Sequence, residues 1–173
     1  MADVVPIARA AAAGGADAVS LVNTYLGTAI DWRRRRSVFP RGFAGLSGPA
    51  IKPMALLAVA RTAKAAGVPV IGIGGIATAE DVLEYLVAGA TAVQVGTSCF
   101  WDPAHPVRLA DEVTRLLAAE GISDVRDLVG TLDREAPADR GRGDPGRGDP
   151  GRGDTERPPA ESLRTAEPRT AEG

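Results

Sequence analysis

The stretch VIGIGGIATAEDVLEYLVAGATAVQVGTS, residues 70–98, sets two apolar runs one helix apart, and each run ends in glycine. Residues 68–73 are β-branched and nearly all apolar, as expected of a parallel strand covered on both faces, and residues 92–95 read as the next strand. Between them Thr78, with Asp81 three residues on, reads as a helix N-cap with acidic support, and Gly89 as the stop. A strand, a helix and a strand in so short a span return as a right-handed crossover to a parallel neighbour. The glycine-rich ends, Gly74-Gly75 and Gly96-Thr97-Ser98, then lie side by side at the carboxyl edge of the sheet. Backbone amides at such an edge are unpaired and carry partial positive charge, and glycine lets an anion approach them with no Cβ in the way. The spacing therefore predicts one phosphate cradle shared by two turns. The competing reading is that these glycines serve tight turns alone.

The remaining alternation is consistent with this unit. Residues 4–13 carry apolar positions at helical spacing and stop at Gly14-Gly15, and residues 18–22 form a short apolar run ending in Asn23-Thr24. Residues 25–50 show no period, include four consecutive arginines from Arg33, and read as a long loop, a feature usually tied to function. A helix is expected from Pro53 to Gly67, another over 106–119, and a shorter one over 123–129. Helices alternating with three strands predict an α/β fold with a parallel sheet. Three strands cannot close a barrel, but they can form part of one.

Composition divides the chain. Nearly all of the 45% apolar residues precede residue 133, whereas 133–173 repeats GRGDP and RTAE units. Such a segment buries too little to offset chain entropy, so a folded region over 1–132 and a disordered tail over 133–173 are expected. The RGD triplets fall out of that repeat and are not read as adhesion ligands. A net charge of −2 argues against nucleic acid or an anionic membrane as partner. The single cysteine, Cys99, permits no internal disulfide, and no run is long enough to span a bilayer, so a cytoplasmic protein is expected.

The segments SLVNT, GLSGPAIKP, PVIGIGGIATAEDVLEYLVAGATAVQVGTS and the following F-x-DP, with their spacing, resemble dihydroorotate dehydrogenases of class 1, most closely the NAD-linked 1B branch. Dihydropyrimidine dehydrogenase domains share the barrel and a similar GPAxKP segment and remain the alternative within flavin enzymes. The resemblance covers residues from about 2 to 130. It implies a (β/α)8 TIM barrel with FMN at its carboxyl face, of which this chain matches about the sixth to eighth strands, and the oxidation of dihydroorotate to orotate. By the same resemblance, Val22 and Gly48 lie against the flavin, Asn23 and Thr24 hold the pyrimidine substrate, and Gly74, Gly75, Gly96 and Thr97 hold the FMN phosphate. The 1B likeness implies a partner subunit carrying FAD and an iron–sulfur cluster, with NAD as acceptor, and it admits homo-oligomers.

The family's base is a cysteine on an earlier loop and its flavin lysine sits on an earlier strand, and neither can be placed in this sequence. Cys99 reads as a buried structural thiol, Lys52 as a structural or surface residue, and His105 as belonging to the loop before a helix. The expectation is a C-terminal barrel portion that is inactive alone, with an exposed sheet edge where the preceding strand would pair. A non-catalytic phosphate-ligand-binding fragment or a relic gene product is the alternative from another class.

Overall fold

The computed structural model describes residues 3–132, and the expectation of a disordered tail falls on residues outside that range. Pro6 in the first turn and Gly14 at the C-cap delimit α1, Val5–Ala13. The first strand, β1, is Val19–Leu21. Residues 25–46, expected as loop, instead form two short antiparallel ribbons. In one, β2 (Tyr25–Gly27) pairs with β5 (Ala44–Leu46); in the other, β3 (Ile30–Asp31) pairs with β4 (Arg36–Ser37). Strands of two or three residues are too short to display a period of two, which is why the sequence pattern did not reveal them.

A 3-10 turn at Pro49–Ile51 leads into α2, Lys52–Ala63, which ends before the expected Gly67. Then come β6 (Val70–Ile73), α3 (Ala79–Val87), β7 (Ala92–Gln94), a 3-10 turn at Thr97–Phe100 and α4 (His105–Ala119). The expected helix near 123–129 is a 3-10 turn, Val125–Leu128. The N-terminus of α3 carries the full reciprocal cap: the Asp81 amide donates to Thr78 Oγ1 at 3.2 Å, and Asp81 Oδ2 accepts from the Thr78 amide at 2.9 Å.

The main sheet is parallel in the order β1-β6-β7, with Val19 opposite Val70, Leu21 opposite Gly72, and Ile73 opposite Gln94. This register puts the carboxyl ends of all three strands in line. One face packs under the helices around Ala55, Val59, Val70, Val82, Tyr85 and Leu86. Tyr85 is fully buried, and a Cβ on Gly72 would run into its ring, so the bare strand position makes room for the phenol. Burying a side chain of this size contributes roughly 2–3 kcal/mol. Coverage on both faces was expected for β6, but among the described residues only this face is covered. Ile71 and Ile73 are half-buried on the other face, where exposed Ser20 donates to Gln94 Oε1 at 3.1 Å. Among the described residues β1 and β7 each leave an outer edge unpaired.

Candidate functional site

A cleft of about 340 Å3 opens at the carboxyl ends of β1, β6 and β7. The register brings all eight sequence-selected residues to its lining: Val22, Asn23 and Thr24 after β1, Gly48 before α2, Gly74 and Gly75 after β6, and Gly96 and Thr97 after β7. The Val22 amide donates to Ile73 O at 2.8 Å, extending the β1–β6 pairing to the cleft floor, and the Leu21–Val22 peptide is cis. Asn23 Oδ1 accepts from the Thr24 amide at 2.8 Å, so its oxygen serves its own turn and its NH2 is the group left to offer.

The amides divide into two sets. Ala77 and Thr78 both donate to Asp81 Oδ2, at 2.8 and 2.9 Å, and belong to the cap of α3. Among the described residues, the amides of Gly75, Ile76, Gly96, Thr97 and Ser98 have no protein acceptor. These five come from two adjacent turns and all of their residues line the cleft. Such a concentration of unpaired donors suits an anion with several acceptor oxygens.

The glycines are explained differently from one another. Gly74 has φ +144, and a Cβ there would lie 2.7 Å from the Ala55 Cβ. Gly75 has φ +73, and its Cβ would lie 2.7 Å from the Gly48 carbonyl oxygen and 2.9 Å from the Lys52 Cβ. At both positions the close approach is made by the protein itself, as the turn-only reading holds. Gly96 has φ −120, and a Cβ there meets nothing within 4 Å. At Gly96, an exposed residue of the cleft lining, no neighbouring chain imposes the glycine.

Three links tie the turns together. Thr97 Oγ1 donates to Ser47 Oγ at 2.9 Å, Ser98 Oγ donates to Ile76 O at 3.5 Å, and His105 Nε2 lies 3.0 Å from Ala77 O. His105, expected in a loop, is the first residue of α4. Cys99 is half-buried, not buried as expected, with Sγ 3.6 Å from Val95 O. Lys52 is structural: its ammonium is hydrogen-bonded to Asp81 Oδ1 and lies 2.8 Å from Glu84 Oε2. Burial pulls the Lys52 pKa down, but the two carboxylates outweigh it and hold it above the ordinary value. Burial likewise pushes the Asp81 carboxyl up, and the Lys52 bond with the Ala77 and Thr78 amides reverses the sign, leaving it below the usual range. Burial drives the Tyr85 phenol up, so it stays neutral and donates to Gly74 O at 2.7 Å.

Several contributors escaped the sequence reading. Ser47 had no distinguishing neighbour, and Tyr85 could be suspected only from the bare Gly72 position. Phe100 and Trp101, 89% and 67% exposed, line the rim. In a chain that is 4% aromatic, two adjacent rings directly after a glycine turn were a usable signal. Among the described residues the lining holds no titratable side chain, and no cluster of three His, Cys, Asp or Glu could hold a metal.

The sequence pattern of the family described as dihydroorotate dehydrogenase matches residues 1–117. A protein of Solibacter usitatus named for dihydroorotate dehydrogenase A (fumarate) is 58% identical over 73% of this chain and 42% of its own length. The dihydroorotate dehydrogenase B (NAD(+)) catalytic subunit of Porphyromonas gingivalis is 53% identical over 75% of this chain and 42% of its own length. The chain thus spans about two fifths of the length of these relatives. A crystal structure of DHODH from Eimeria tenella in complex with ferulenol superposes with a TM-score of 0.59 at 33% identity, covering 72% of this chain and 33% of that one. The glycine turns, the parallel register and these matches agree: the chain belongs to the dihydroorotate dehydrogenase family.

Proposed function

We propose that this chain forms the flavin-phosphate-binding portion, about the sixth to eighth strands, of a β/α barrel that oxidises dihydroorotate to orotate in pyrimidine synthesis. The observation supporting it is that five unpaired amides, from Gly75, Ile76, Gly96, Thr97 and Ser98, belong to residues lining one cleft, with open space at Gly96. The donor set fits FMN, whose phosphate offers acceptors to amides without requiring a cation. When bound, FMN would supply the acceptor for the hydride, and with it the two electrons, that leaves dihydroorotate. The chain's own part is to hold and orient. Val22 and Gly48 would lie against the flavin, and the Asn23 NH2 and Thr24 hydroxyl would be the groups offered to the pyrimidine.

Removal of the substrate proton is not assigned to any described residue, since none lining the cleft can titrate. A narrower second reading is the binding of a phosphate-bearing ligand without turnover, which the unpaired amides support equally. The similarity to B-type catalytic subunits supports a partner subunit with FAD and an iron–sulfur cluster, and NAD as acceptor; the A-type relative, named for fumarate, supports an acceptor without it. Residence in the cytoplasm is part of the proposal, and among the described residues no helix is long and apolar enough to cross a membrane.

The test is titration of the full chain with FMN and with riboflavin, which lacks the phosphate, followed by flavin fluorescence. FMN is expected to bind at least about tenfold more tightly, since hydrogen bonds to a charged group contribute about 1.5–3 kcal/mol each. Gly96→Ala is expected to remove most of that preference. Equal affinity of the unaltered chain for both flavins would sink the reading.

A further inference from the structure

We propose that Lys52 is a positioning residue for the phosphate turns, acting through Asp81 and Glu84 without touching the ligand. The inference rests on the phosphate reading above. Lys52 opens α2 directly after the Gly48–Ile51 turn and does not line the cleft. Its ammonium crosses to α3, hydrogen-bonding Asp81 Oδ1 and lying 2.8 Å from Glu84 Oε2. The other Asp81 oxygen, Oδ2, takes the amides of Ala77 and Thr78, the residues that end the turn after β6. A continuous path therefore runs from the start of α2, through one cation and one carboxylate, to the backbone that aims the Gly75 and Ile76 amides.

The fit at Gly75 makes this path a constraint on distance. A Cβ on Gly75 would sit 2.7 Å from the Gly48 carbonyl oxygen and 3.0 Å from the Lys52 amide nitrogen, so the two turns touch without spare room. The Lys52 and Asp81 side chains retain 22% and 11% of their exposure, which places the pair among those that are little screened. Charge points the same way. Lys52 faces two carboxylates, so removing it leaves two negative groups beside amides meant for an anion. Its loss would therefore loosen the turn and repel the phosphate together, whereas a ligand with no phosphate would notice neither.

The experiment compares the full chain with Lys52→Met, Lys52→Arg and Glu84→Gln by FMN titration, riboflavin titration and thermal melting. Lys52→Met is expected to weaken FMN about tenfold, the scale of loss when groups supporting a ligand site are removed, with riboflavin unchanged. Lys52→Arg keeps the charge and is expected to retain most of the preference. Glu84→Gln leaves the Asp81 bond in place and removes one of the two negative groups, so by the same charge argument it is expected to raise the preference for FMN, which keeps the inference testable if Lys52→Met does not fold. Parallel losses for both flavins in folded Lys52→Met, no loss for either in that variant, or a lowered FMN preference in Glu84→Gln would overturn the positioning role. An unaltered chain that does not prefer FMN overturns the phosphate reading itself, and the two failures are thereby distinct.

Discussion

Replacing Gly75 by alanine tests whether protein contacts, independent of any ligand, impose that glycine. Its φ of +73 lies in the left-handed region, which costs a residue with a Cβ about 1–2 kcal/mol. The new methyl would also sit 2.7 Å from the Gly48 carbonyl oxygen, 2.9 Å from the Lys52 Cβ and 3.0 Å from the Lys52 amide nitrogen. Two of these three atoms are backbone, so relief requires moving the turn or the first residue of α2, and overpacking of this kind costs about 1–3 kcal/mol. The sum is about 2–5 kcal/mol, a large part of the roughly 5–15 kcal/mol that holds a domain folded. Gly96→Ala is the matched control: its φ is −120 and its Cβ meets nothing within 4 Å, so stability should change by no more than about 0.5 kcal/mol. Urea unfolding followed by the fluorescence of Trp32 and Trp101, with no flavin present, measures both. A Gly75→Ala midpoint within about 1 kcal/mol of the unaltered chain, or a Gly96→Ala loss as large as that at Gly75, would refute the division between a glycine closed in by packing and one facing open space.

Tyr85→Phe removes the 2.7 Å bond to Gly74 O and leaves a buried carbonyl without its donor, so a loss of about 1–3 kcal/mol is expected in the same urea assay; no loss would mean that carbonyl finds another partner. The Lys52–Asp81 pair also sets a pH window. Asp81 titrates below its usual 3.8 in the folded chain, so its contribution is present above that pH and disappears as acid carries it through the folded value. Lys52 titrates above its usual 10.5, so its contribution is present below that pH and disappears as base carries it through the folded value. Melting temperatures across pH should therefore show a plateau between these limits as far as this pair is concerned, and Asp81→Asn should flatten the acid limb; an unchanged acid limb in that variant would contradict the assignment.

Local pattern in the sequence determined the alternation of helices and strands, the Thr78–Asp81 cap, the glycine stops after α1 and α3, and the side-by-side glycine ends. Each is a property of one element and its termini, where periodicity and capping chemistry act over a few residues. Tertiary structure decided what lies across the gaps. The ribbons of residues 25–46 depend on β2 meeting β5, strands too short to announce themselves. Gly72 is bare because Tyr85 arrives from the next helix, and Lys52 is a clamp because α3 brings Asp81 and Glu84 within reach of it. The residues selected from the sequence all line one cleft, but the sequence reading assigned one reason to all the glycines. Packing separates them: Gly74 and Gly75 are closed in by neighbouring chain while Gly96 faces open space, and a distance of that kind exists only once the elements are assembled.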